Sequence, residues 1–143
     1  MIYLLDSYAW MEYFAASPAG IKTREIIENG EKSELITLGT TIGELSCLYK
    51  MRDKDFNLAL EVILANSTIR EVSFDTWKDV GVYRKEMRYV LKDDTVGMMD
   101  AILICLAIEI GKDQKKGVKI VTGDSHFKKL AKLPKYRKLI QLI

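Results

Sequence analysis

Histidine occurs once in this chain of 143 residues, and cysteine and proline twice each. His126, Cys47 and Cys105 are scattered, so there is no closely spaced Cys/His set of the kind that holds zinc. There is also no C-x-x-C pair for redox chemistry. Both cysteines fall in apolar helical stretches and are expected to be buried, reduced thiols acting as small hydrophobes, a usage that suits a reducing cytosol. With only Pro18 and Pro134, no Gly/Ser-rich linker and no internal repeat, nothing marks a boundary, and one domain over residues 1–143 is expected. The longest apolar run, Ala101 to Ile108, is far short of the roughly 20 residues of a membrane helix. The first residues carry neither a basic stretch nor a cleavage-site pattern, so no signal peptide is expected. A soluble, cytoplasmic protein without a membrane partner is the resulting expectation. The formal net charge of +2 is too small to mark a nucleic-acid binder by itself. Asn and Gln are scarce while charged residues reach 29%, which leans toward a thermophile-like surface.

Hydrophobic residues make up 48% of the chain, enough for a substantial core. Met1 to Leu5 reads as a buried strand that stops at Asp6-Ser7. Tyr8 to Ala16 has helical spacing. Ser17-Pro18 then caps and starts a second helix that ends near Asn29-Gly30. Glu34 to Leu38 is a second strand, and Thr40 or Thr41 opens a helix in which Glu44 approaches a capping-box position. On that helix Glu44 falls beside Leu48 and Met51, toward the packed side. Further helices are expected over Asp53–Asn66, Asp75–Val90, Met98–Ile110 and His126–Leu133, with strands at Ile69–Ser73, Val118–Thr122 and Leu139–Leu142. Strands alternating with helices imply a mostly parallel sheet covered on both faces, an α/β fold.

Asp100 stands near the start of the almost wholly apolar Met98–Ile110 helix, and such a helix is buried. An unpaired buried charge costs several kcal/mol, while the helix N-terminus returns about 2 kcal/mol at most. A simple N-terminal cap is the plain alternative. A metal ion or a basic partner accounts better for an acid flanked by apolar residues. Asp6 and Asp124 each lie just past an apolar strand, and open α/β sheets bind ligands outside the carboxyl ends of their strands. Either alone reads equally well as a turn residue; together with Asp100 they suggest one crevice. Glu44 alone reads as a cap or a surface ion-pair partner. Converging carboxylates repel unless a cation neutralises them, and oxygen-only ligands suit Mg²⁺ or Mn²⁺. A phosphodiester is the natural substrate of such a site.

These residues have a familiar setting. Tyr3-Leu4-Leu5-Asp6-Ser7-Tyr8-Ala9-Trp10 resembles the opening of PIN-domain proteins, and Gly97-Met98-Met99-Asp100-Ala101-Ile102-Leu103 resembles the family's Asp-bearing helix. Lys119-Ile120-Val121-Thr122-Gly123-Asp124-Ser125-His126-Phe127 resembles its late strand and the following Thr-x-Asp turn, and Glu44 falls where the family has a helical acid. Within the family the chain is similar to VapC-type toxins. The resemblance implies a three-layer α/β/α sandwich and an Mg²⁺- or Mn²⁺-dependent endoribonuclease acting on RNA. It also implies a homodimer and a cognate antitoxin protein. Asp6, Glu44, Asp100 and Asp124 would be its catalytic and metal-binding acids, with Ser7 and Thr122 in support. One departure is His126, where many relatives carry a further acid; a solvent-facing side chain and a phosphate or proton contact are both open for it.

Lys128, Lys129, Lys132, Lys135, Arg137 and Lys138 form one basic group, and Arg84, Lys85, Arg88 and Lys92 another. A solvated surface explains either, though part of one would also steer an RNA backbone. Two readings compete with a nuclease. A catalytically inactive PIN-like module would bind RNA or protein without turnover and tolerate Asp124→Asn. A phosphatase using Asp6 as nucleophile lacks the usual second Asp, because position 8 is Tyr8.

Overall fold

Five short apolar segments pair in register as a wholly parallel sheet, β1 (Ile2–Leu5), β2 (Glu34–Leu38), β3 (Thr68–Arg70), β4 (Val118–Thr122) and β5 (Ile140–Leu142). The computed structural model describes residues 1–29, 33–114 and 116–143. Between the strands run α1 (Ser7–Phe14), α2 (Pro18–Glu28), α3 (Gly39–Met51), α4 (Asn57–Asn66), α5 (Phe74–Leu91), α6 (Met98–Gln114), α7 (Ser125–Leu130) and α8 (Pro134–Arg137). The sheet order is β3-β2-β1-β4-β5. Strand order therefore reverses between β1 and β4, which pair with Leu5 opposite Val121.

The period-two alternation of the strands divides the core. Ile2, Leu4, Ile36, Leu38, Val118 and Ile120 face α5, α6 and α7, whereas Leu5, Leu35 and Val121 pack with Ala9 and Trp10 of α1, Leu45 of α3 and Ile63 of α4. This is the expected three-layer α/β/α arrangement. Residues 101–107 of α6 are all buried, which explains a helix apolar on every side. Gly20 permits the close crossing of α1 and α2, because a Cβ there would lie 1.9 Å from the Glu12 carbonyl oxygen. Trp10 Nε1 donates to Thr37 Oγ1 at 3.0 Å, pinning α1 to β2 from within the core. Among the described residues no helix is long and apolar enough to cross a membrane.

Several local expectations shift. The third strand ends at Arg70, because Val72 packs onto the core and Ser73 caps α5, accepting from the Thr76 N–H. Asp53 takes a left-handed conformation (φ 50°) that breaks the chain after α3, so the next helix begins only at Asn57. No capping box forms at α3: its cap is Leu38, without a side-chain bond. Cys105 is buried but Cys47 is exposed. The buried residues of α3 are Thr41 and Leu45, and two steps beyond Leu45 rotate a side chain about 200° to the outer face. Met51, at the end of the same helix, is likewise exposed rather than packed. The last basic helix stops at Leu130, and Pro134 starts the short α8 in its place. Helix α2 runs to Glu28 with Asn29 as its cap, and Gly30 lies outside the described residues.

Candidate metal centre

The chain leaves β1 at Asp6 and β4 at Thr122, on adjacent parallel strands and on either side of the reversal in strand order. The Asp6 backbone N–H still continues the ladder, donating to Val121 at 3.3 Å. One Asp6 carboxylate oxygen accepts from the Tyr8 N–H, capping α1, and the other accepts from the Thr122 hydroxyl. Thr122 Oγ1 in turn accepts from the Asp124 N–H at 3.1 Å. A single buried hydroxyl thus ties both strand-end aspartates together. Asp124 caps α7, accepting from the His126 N–H at 2.8 Å. Gly123 between them leaves room for the Tyr8 ring, since a Cβ there would sit 2.4 Å from Tyr8 Cε1.

The two helical acids approach the same place. Asp100 lies in the first turn of α6, and Glu44 one turn into α3. Both line one cleft of about 360 Å³ together with Asp6 and Asp124, so the four acids singled out in the sequence converge. Their surroundings oppose ionisation. Burial, and to a lesser degree Glu44 and Asp124, push Asp6 up to about 6 against the hydrogen bonds from Thr122 and Tyr8. Glu44 is raised by burial and by Asp100 and Asp124, partly offset by a hydrogen bond from the Ser7 side chain. Asp100 is raised by burial and by Asp124, with a hydrogen bond from His126 acting the other way. A cation in the cleft would reverse these shifts.

The acids are not equally placed. Among the described residues, ligand atoms of Asp100, Asp124 and His126 lie within 4.8 Å of one another. Asp6 and Glu44 stand outside that tight group, and both Asp6 oxygens are already accepting hydrogen bonds. The carboxylates nonetheless form an oxygen donor set of the kind that fits a hard divalent cation.

Other lining residues follow from helical spacing. Glu44 and Leu48 of α3 and its cap Arg52 are spaced four apart, and Tyr8, Met11 and Glu12 share a face of α1, so each set lines the cleft together. Arg52 brings a cation to an otherwise acidic wall. The contact between His126 and Asp100 had no signal in spacing.

A family model described as PIN domain matches residues 3–133. A search by sequence among curated proteins returns no match. Among solved structures, the fold is similar to VapBC2 from Rickettsia felis, determined bound to a DNA fragment from its promoter. The TM-score is 0.70 at 18% identity, covering 99% of this chain and 98% of that one. It is also similar to VapC20 from Mycobacterium tuberculosis, a Sarcin-Ricin loop cleaving toxin, with TM-score 0.59, 12% identity, and 86% and 90% of the two chains covered. PAE2754 from Pyrobaculum aerophilum gives a TM-score of 0.56 at 22% identity over 94% of this chain and 86% of that one.

Proposed function

The chain belongs to the PIN-domain family, and from that we propose that it is a metal-dependent endoribonuclease, the toxin of a VapC-type toxin–antitoxin pair. One observation carries the reading: four carboxylates from four separate elements meet in one cleft at the carboxyl ends of β1 and β4. Three of them are raised from their ordinary carboxylate values, chiefly by burial. Nothing in stability alone rewards such a cluster, because each added charge raises the cost of its neighbours. Asp6, Asp100 and Asp124 would hold Mg²⁺ or Mn²⁺, with Glu44 as a further ligand or a base that orients water. When bound, such a cation supplies charge neutralisation and Lewis-acid polarisation of the scissile phosphate.

The chain's own residues do the rest. Thr122 fixes Asp6 and the Asp124 backbone in one geometry, and Ser7 would orient Glu44. A raised Glu44 is a better proton acceptor than an ordinary carboxylate once ionised. Arg52 at the cleft wall would receive an RNA phosphate. If the chain is a VapC-type toxin, it would have a cognate antitoxin, form a homodimer and act in the cytoplasm; VapBC2, of similar fold, was determined bound to a promoter DNA fragment.

The test is cleavage of RNA in Mg²⁺ or Mn²⁺ by the wild type and by Asp100→Asn. Metal-dependent cleavage lost in the variant supports the reading, and equal cleavage by both sinks it.

A further inference from the structure

We propose that His126 is a positioning residue of this centre, holding Asp100 in place through Nδ1 while the Asp93–Thr95 loop packs against the ring at Nε2. The inference rests on the metal-site reading above and adds a residue outside the four acids. The imidazole is 16% exposed, and its Nδ1–H donates to Asp100 Oδ2 at 2.8 Å. Among the described residues this is the one hydrogen bond from another side chain to Asp100. The backbone N–H of His126 caps onto Asp124 at 2.8 Å. His126 therefore contacts both tightly grouped acids, hydrogen-bonding Asp124 through its main chain and Asp100 through its ring, whose Nδ1 also lies 3.7 Å from Asp124 Oδ1.

The far side of the ring is also held. Nε2 lies 3.1 Å from Thr95 Oγ1 and 3.5 Å from Asp93 Oδ2. Thr95 is itself fixed to Asp93 Oδ1, to which its N–H donates at 3.0 Å and its hydroxyl at 2.5 Å, and Lys129 Nζ reaches Asp93 Oδ2 at 3.2 Å. Helix α5 ends at Leu91, and its cap Lys92 takes a left-handed conformation that turns the chain into this loop. A continuous polar chain thus runs from Lys129 on α7 through the loop and His126 to Asp100 on α6. With both ring nitrogens engaged, the imidazole would have to release Asp100 to become a ligand itself. Loss of a group that orients a metal ligand typically weakens metal affinity roughly 10–100-fold.

The experiment uses isosteres and the fact that this histidine is the only one in the chain. An Asn side-chain amide nitrogen stands where Nδ1 stands, and a Gln amide nitrogen where Nε2 stands. Mn²⁺ affinity is measured by calorimetry without RNA for wild type, His126→Asn, His126→Gln, His126→Ala and Thr95→Val. The expected pattern is affinity close to wild type in His126→Asn and roughly 10–100-fold weaker binding in His126→Gln and His126→Ala. Thr95→Val is expected to give an intermediate loss. Nitrogen-15 NMR of the lone imidazole is expected to show an exchange-protected Nδ1–H in metal-free protein, lost in Asp100→Ala and retained on Mg²⁺ loading. Equal affinity across the His126 variants, or loss of the Nδ1 proton when Mg²⁺ binds, overturns the proposal. Wild type that binds no Mn²⁺ overturns the metal reading instead, and the metal-free NMR comparison still decides whether His126 holds Asp100.

Discussion

Replacing Asp6 by Asn is expected to change the sign of its effect on stability with pH. Asp6 is buried, and its carboxyl is raised from 3.8 to about 6. A carboxyl raised in the folded state is bound more tightly to its proton there than in the unfolded chain. Below the unfolded value it imposes no ionisation penalty; between about 4 and 6 the penalty grows, and above about 6 it is complete. At 1.36 kcal/mol per unit, the full penalty is about 3 kcal/mol in the metal-free protein. Asn removes that penalty and remains a good N-cap for α1. It places an amide N–H₂ against Thr122, however, whose proton then loses its buried acceptor at a cost of about 1–3 kcal/mol. At pH 7.5 the metal-free variant should therefore be more stable by about 1 kcal/mol, a rise in Tm of about 2–4 °C for a protein of this size. At pH 4 only the lost hydrogen bond remains, and the variant should be less stable than wild type. Thermal melts in chelator at the two pH values measure this directly. A destabilisation of equal size at both would refute the argument that desolvation dominates at Asp6. Adding Mg²⁺ should raise the Tm of wild type and leave the variant nearly unmoved.

Other consequences are as concrete. Gly123→Ala should cost about 1–3 kcal/mol by driving a methyl into the Tyr8 ring, with nuclease activity falling as the Asp124 turn shifts; denaturant melts and RNA cleavage read the two effects. Thr37→Val leaves Trp10 Nε1 buried without a partner, and urea unfolding should show a loss of about 1–3 kcal/mol. Arg52→Gln, placed on the Asp100→Asn background, should weaken RNA binding and lower the salt slope of the affinity by about 0.7 per lost phosphate contact; an unchanged slope would remove Arg52 from the substrate path.

Much of the fold was readable because hydrophobic period reports burial directly. The runs at Glu34–Leu38 and Val118–Thr122 matched their strands residue for residue, since central parallel strands are apolar on both faces. Boundaries moved where a local side chain competed with the pattern, as Ser73 did by capping α5 at the expense of β3, or where Asp53 turned left-handed. Cys47 misled because apolar neighbours in sequence do not share a helical face.

The sequence by itself determined that Asp6 and Asp124 end strands and that Asp100 opens a buried helix, because apolar run length and abrupt polarity are local properties. Only the tertiary structure decided that β1 and β4 are neighbours at the reversal of strand order, so that the two strand-end aspartates share the Thr122 hydroxyl. It alone brought Glu44 from α3 into the same cleft and set the His126 ring against Asp100. Such pairings follow from strand order and helix packing, which join residues distant in the chain, and no local period encodes them.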